Sequence, residues 1–209
     1  MVFIAHPSEL GTLYSLAELE ELSALCRRYQ IPLYLDGARL AYGLAAPDTD
    51  VTLADIARLA DAFYIGGTKC GALCGEAVVF PRGGMPRHFL THAKQHGALL
   101  AKGRLLGVQF DTLFTDDLYG EVGRTAAAAA DELRRILREA GCTFFRESPT
   151  NQQFVVLENA QVEALAERIR FSTWEKLGDG RTVIRLVTSW STTPDDLAAL
   201  EAALHEVMQ

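Results

Sequence analysis

The sequence is poor in cysteine, has no basic run and contains no long apolar stretch. Its four cysteines, Cys26, Cys70, Cys74 and Cys142, are too few and too irregularly spaced for a disulfide framework, and they point to a reducing compartment. Twenty lysines and arginines stand against 27 aspartates and glutamates, a net charge of −7. With no Lys/Arg-rich segment to offset that balance, neither nucleic acid nor an anionic membrane is expected as a partner. A small anionic molecule stays open, because local cations can outweigh a negative average. No apolar run approaches the roughly 20 residues that span a bilayer. The start, Met1-Val2-Phe3-Ile4-Ala5-His6-Pro7, has neither the basic nor the long apolar region of a signal peptide. A cytoplasmic protein is the expectation.

What the 209 residues do contain is globular: 49% hydrophobic and 22% charged. Their number suits one large domain, or one with a smaller companion. The chain opens directly into an apolar segment, Val2 to Ala5, as a chain starting inside a domain would. Ser15 and Glu18 have capping-box spacing, and Leu16, Leu19, Leu22, Leu25, Cys26 and Tyr29 follow helical periodicity. Pro32 stops that pattern, and Ile31 to Leu35 reads as a buried strand. A helix is expected from Thr52 to about Ala60, then strands at Ala62 to Ile65 and Ala77 to Phe80. This alternation predicts an α/β layer with a mainly parallel sheet.

Further on, helices are expected from Pro86 to Gly107 and from Asp116 to Ala140. Then follow a strand at Gln153 to Leu157, a helix at Val162 to Ile169, a β-hairpin formed by Phe171 to Leu177 and Thr182 to Thr188, and a last helix opened by Thr193-Pro194-Asp195-Asp196. The expected division is residues 1–115 as part of a large domain and residues 116–209 as a small α+β domain that includes the linking helix.

In parallel α/β sheets ligands bind beyond the carboxyl ends of the strands. Asp36 and Lys69 both fall there. Asp36 follows the apolar strand residues directly, where a carboxylate needs a partner: a protonated ring nitrogen, a loop N–H or Arg39. Lys69 follows Gly66-Gly67-Thr68, and its amine is suited to Schiff-base chemistry or to simple solvation. The segment lacks the frame of a nucleotide phosphate loop.

Taken together, Pro32-Leu33-Tyr34-Leu35-Asp36-Gly37-Ala38-Arg39-Leu40 and Tyr64-Ile65-Gly66-Gly67-Thr68-Lys69 resemble the threonine aldolase and β-eliminating lyase family, among the fold-type-I enzymes that use pyridoxal phosphate (PLP). Lys94-Gln95-His96-Gly97 and Val183 to Thr188 also fit family segments. The resemblance implies a fold-type-I large domain, partial because its N-terminal part is missing, plus the small C-terminal domain. It implies Lys69 as the Schiff-base lysine and Asp36 as the partner of the cofactor's ring nitrogen. Arg39 would lie near the cofactor 3′-oxygen and the substrate carboxylate, Arg185 would be a second carboxylate clamp, and Thr68 would donate to the phosphate. Lys94 falls where aldolases carry a phosphate-binding arginine, and it keeps the charge without the planar fork.

The activity implied is retro-aldol cleavage of an L-threonine-like β-hydroxy amino acid to glycine and an aldehyde, in a homodimer or homotetramer. Elimination from another amino acid, or an inactive fragment lacking half the site, are the rival readings. His88, His92 and His96 would share one helix face, but no suitably spaced carboxylate or cysteine joins them, so no metal is expected. Cys70 and Cys74 are expected to pack, and Trp174 and Trp190 to sit in the small-domain core.

Overall fold

The computed structural model describes residues 1–208. Four strands, β1 (Val2–Ala5), β2 (Leu33–Gly37), β3 (Ala62–Gly66) and β4 (Glu76–Val79), form one sheet in chain order. The first three are parallel, and β4 returns antiparallel to β3. The crossover between β1 and β2 contains α1 (Leu16–Arg28), and the one between β2 and β3 contains α2 (Leu40–Leu44) and α3 (Leu53–Leu59). Helices α1 and α3 begin with complete capping boxes, Ser15 with Glu18 and Thr52 with Asp55, which satisfy amide groups that have no partner within the helix.

Alternation along the strands divides the sheet into two faces. Ile4, Leu33, Leu35, Phe63 and Ile65 are buried in a cluster with Leu19, Cys26, Ile56 and Leu59 of α1 and α3. On the opposite face Phe3 stacks on Tyr34 at 5.6 Å between ring centroids, and Tyr34 lies 6.4 Å from Tyr64. That face is more open, with Phe3 and Val78 exposed. Asp36 pairs in register with Tyr64, so it belongs to the open face.

Helices α4 (Phe89–Gln95) and α5 (Arg104–Leu113) lead to the long α6 (Leu118–Glu139). The first half of α6 contributes Tyr119, Val122 and Ala126 to the first cluster, and its second half gives Leu133, Ile136 and Leu137 to a second one. The second sheet is antiparallel, in the order β5 (Thr143–Arg146), β6 (Gln152–Glu158), β8 (Arg181–Val187), β7 (Ser172–Lys176). Helices α7 (Asn159–Ala166) and α8 (Pro194–Val207) pack with it.

Several elements differ from the sequence expectation. The helix expected over residues 86–107 is interrupted: Gly97, at φ +73°, ends α4, and the Ala98 N–H turns back to the Ala93 carbonyl at 2.7 Å. His88 and His96 consequently cap α4 and do not lie within it. Asp116 and Asp117 have φ of +50° and +59°, so α6 starts only at Leu118. Strand β2 extends through Asp36 to Gly37. Cys70 is buried as expected, but Cys74 is exposed. Neither tryptophan is a core residue: Trp174 is 38% and Trp190 48% exposed, and Trp174 covers Phe154 edge to face.

Candidate functional site

The turns leaving β2 and β3 pack backbone against backbone. A Cβ on Gly37 would lie 2.1 Å from the Tyr64 carbonyl oxygen, and one on Gly66 would lie 2.3 Å from that of Ala38. Only residues without a side chain allow this approach. It places the Asp36 carboxylate and the Lys69 turn at neighbouring strand ends.

Asp36 is half-buried, and its Oδ1 accepts the Ala38 N–H at 2.9 Å. The Tyr64 hydroxyl lies near the carboxylate. Burial, then this carboxylate, push the Tyr64 phenol well above its ordinary pKa, so it stays a protonated donor. Lys69 is exposed, and among the described residues no hydrogen bond or ion pair engages its amine. The turn beneath it is closed by the Cys70 and Ala72 N–H groups on the Gly67 carbonyl, at 2.9 and 3.0 Å. Glu76, at the start of β4, fastens the same turn: Oε2 accepts the Gly67 N–H at 2.6 Å, and Oε1 accepts the Thr68 hydroxyl at 2.8 Å.

Two guanidinium groups face this region. Arg39 is the N-cap of α2, and its pKa is lowered first by burial and then by the charge of Arg185. Arg185, on β8, donates through Nη1 to Gln152 Oε1 at 3.3 Å and through Nη2 to Ser172 Oγ at 3.4 Å, with its guanidinium 5.8 Å from the centre of the Trp174 ring. Its Nε is buried without a partner. Among the described residues neither arginine has an ion-pair partner, so the two together offer a place for an anion.

The Thr68 hydroxyl is engaged by Glu76. Lys94 is exposed on α4, whose first turn rests Phe89 on Phe80 at 5.2 Å. Phe80 follows Val79, which pairs with Phe63, so this contact lies at the amino end of β3, away from Asp36 and Lys69. The fit to PLP is therefore divided. A carboxylate and a free amine on adjacent strand ends suit a pyridine nitrogen and an aldehyde. Thr68 and Lys94, the residues expected at the phosphate, lie on separate elements.

Sequence reasoning did not single out Tyr64, Glu76, Gln152 or His6. His6 is fully buried at the end of β1, where its N–H donates to the Asp36 carbonyl at 2.9 Å. Nδ1 accepts the Tyr14 N–H at 3.4 Å, Nε2 has no partner, and burial lowers its pKa to about 4. A histidine ending the strand beside the Asp36 strand was the one available signal for it. Glu76 and Gln152 carry none, since tertiary folding alone brings them in.

The sequence model of the beta-eliminating lyase family matches residues 1–160. The chain is 28% identical to a low specificity L-threonine aldolase of Pseudomonas aeruginosa over 210 aligned residues, covering all of this chain and 60% of that protein. The structure superposes on a threonine aldolase of Leishmania major with a TM-score of 0.95 at 40% identity, over 99% of this chain and 60% of that one. A serine palmitoyltransferase of Sphingomonas wittichii shares the fold alone, with a TM-score of 0.69 at 15% identity over 98% of this chain and 54% of that one. The chain thus spans about 60% of the length of the threonine aldolases it matches, and its α/β architecture is that of the corresponding part of a fold-type-I enzyme. With the family match reaching across three quarters of its length, the chain belongs to the beta-eliminating lyase family.

Proposed function

We propose that this chain supplies the lysine and ring-nitrogen side of a PLP site in an aldehyde-lyase that cleaves an L-threonine-like β-hydroxy amino acid to glycine and an aldehyde. The observation that carries the proposal is the interlock of the β2 and β3 turns, which sets Asp36 and the unengaged Lys69 at neighbouring strand ends, with the Arg39 guanidinium near Asp36 and close enough to Arg185 to be repelled by it. When bound, PLP supplies an aldehyde that condenses with amines and a pyridinium ring that withdraws electrons from the substrate α-carbon.

The chain's own residues have separable tasks in this reading. Lys69 holds the cofactor through its amine and yields that place to the substrate amine. Asp36, steadied by the Ala38 N–H and neighbouring Tyr64, keeps a proton on the ring nitrogen. Arg39 and Arg185 bind the substrate carboxylate, and their mutual repulsion is relieved as the anion enters. Gln152 and Ser172 keep Arg185 oriented. Thr68, whose hydroxyl Glu76 engages, and Lys94, exposed on α4, are the two residues of this chain offered to the cofactor phosphate.

The test is cofactor trapping followed by product analysis. PLP is added, borohydride is used to fix any adduct, and peptides are mapped. The expected adduct is on Lys69 and disappears in Lys69→Ala while the circular dichroism spectrum is kept. An adduct confined to another lysine, or none at all, refutes the assignment. With threonine and other β-substituted amino acids, aldehyde plus glycine supports retro-aldol cleavage, whereas a 2-oxo acid identifies elimination instead.

A further inference from the structure

The functional reading makes no use of three buried side chains directly beneath Lys69. Tyr42 on α2 is 2% exposed, Tyr119 on α6 is 5% exposed, and Cys70, next to the lysine, is fully buried. The Tyr42 hydroxyl donates to the carbonyl oxygen of Lys69 itself. The Tyr119 hydroxyl accepts the Ala41 N–H and donates to the Gly66 carbonyl, both at 3.1 Å. It thereby ties the end of β3 to α2, the helix that Arg39 caps. The Cys70 thiol lies near both hydroxyls and the Ala41 N–H. Around them α6 comes close enough to α2 that a Cβ on Gly123 would lie 2.4 Å from the Ala41 carbonyl oxygen.

Ordinary core packing would need only the rings. Here each hydroxyl is directed at a main-chain group of the Gly66–Lys69 turn or of the segment following Asp36. The Trp190 main-chain N–H, in the loop after β8, the strand that carries Arg185, lies near the Tyr42 hydroxyl. The hydroxyls therefore connect the Gly66–Lys69 turn to α2, the helix that follows the Asp36–Arg39 turn.

We propose that Tyr42 and Tyr119 are positioning residues whose hydroxyls lock the Lys69 turn in place, so that the amine is presented from a fixed main chain. The claim that Lys69 is the reactive amine rests on the preceding functional reading; the lock itself does not. Cys70 reports on the lock without any cofactor. Its thiol is fully buried, and burial pushes its pKa up to about 11, so it reacts only when the turn opens.

The experiment compares Tyr119→Phe and Tyr42→Phe with the unsubstituted chain, each removing one hydroxyl and keeping the ring. Thiol labelling is followed by peptide mass at all four cysteines. Exposed Cys74 labels immediately in every variant, and buried Cys26 and Cys142 report global unfolding. Loss of one such hydrogen bond raises the open population, and hence the Cys70 labelling rate, by about tenfold, with Cys26 and Cys142 unchanged. A Cys70 rate that stays the same in a folded variant overturns the lock. Should Tyr119→Phe label Cys26 and Cys142 together with Cys70, it has unfolded globally, and Tyr42→Phe decides by the same criterion. Borohydride trapping of added PLP forms the second readout, with adduct formation at Lys69 slowing in both variants. If the unsubstituted chain forms no adduct, the functional reading fails while the Cys70 comparison still judges the lock.

Discussion

Replacing Gly66 with alanine is the sharpest probe of how the site is built. The added Cβ would meet the Ala38 oxygen at 2.3 Å, the Ala38 carbonyl carbon at 2.6 Å and the Gly37 oxygen at 2.7 Å. All three are main-chain atoms, so no side-chain rotation relieves the contact, and the two strand ends must move apart. Overpacking of a tight interior typically costs 1–3 kcal/mol, and a purely main-chain obstacle belongs in the upper part of that range, about 2–3 kcal/mol. For a chain of this size the melting temperature should fall by about 4–12 °C. The matched control is Gly107→Ala. Gly107 lies exposed within α5, and an added Cβ would meet nothing within 4 Å. There the substitution should stabilise by up to about 1 kcal/mol, because alanine is the better helix former. Thermal and urea unfolding followed by circular dichroism measure both. A Gly66→Ala loss below about 0.5 kcal/mol, or a loss no different from the Gly107 control, would refute the interlocked turns.

Two further outcomes are expected. Arg185→Ala should raise KM for the amino acid by roughly 10-fold to 100-fold with a smaller change in kcat, since a hydrogen-bonded charge that binds the carboxylate in ground and transition states alike is lost; steady-state kinetics of the cofactor-loaded protein measure this, and an unchanged KM removes Arg185 from the clamp. For His6 the folded pKa of about 4 lies below the unfolded value of 6.5, so between these pH values the unfolded chain binds the extra proton. Its contribution is intact above pH 6.5 and is lost as pH falls to about 4, by about 3 kcal/mol, and urea titrations should show His6→Gln with a flatter acid limb than the unsubstituted chain.

What could be read in the sequence was local. Ser15, Thr52 and Thr193 announce helix starts because a cap and its partner lie within one turn, and all three capping boxes form. The five-residue α2 has no such signal: its N-cap, Arg39, makes no side-chain cap hydrogen bond, and the helix is held by its packing on α6. Strand β5 depends on its pairing with β6, including a register shift between Phe144 and Arg146 that no local pattern encodes. The same division runs through the site. The placement of Asp36 and Lys69 at neighbouring strand ends was legible because strand ends and glycine turns are short-range features. The engagement of Thr68 by Glu76 and the opposition of Arg39 and Arg185 come from contacts between distant elements. The histidine spacing at residues 88, 92 and 96 misled for a comparable reason, since left-handed φ values at His88 and Gly97 confine α4 between them.

Charge placement connects the negative chain to an anionic ligand. Arg58 and Arg82, on the surface, pair with Glu20 and Asp61 at 2.8 and 2.9 Å, which is how an acidic protein ordinarily disposes of its arginines. Arg39 and Arg185 are treated in the opposite way: half-buried, repelling each other, with the buried Nε of Arg185 left unpartnered and, among the described residues, no ion pair to either, although Asp36 lies near enough to Arg39 to offset part of the repulsion. Burial and like charge both work against Arg39, so this arrangement lowers the stability of the ligand-free protein. Sites that break the rules of polar satisfaction are where function is expected to lie. The carboxylate of the proposed substrate would lessen both penalties, by giving each guanidinium an acceptor and by offsetting the repulsion between them. In the proposed function, the free energy released when a carboxylate binds is thus drawn partly from the repulsion already present between the two guanidinium groups.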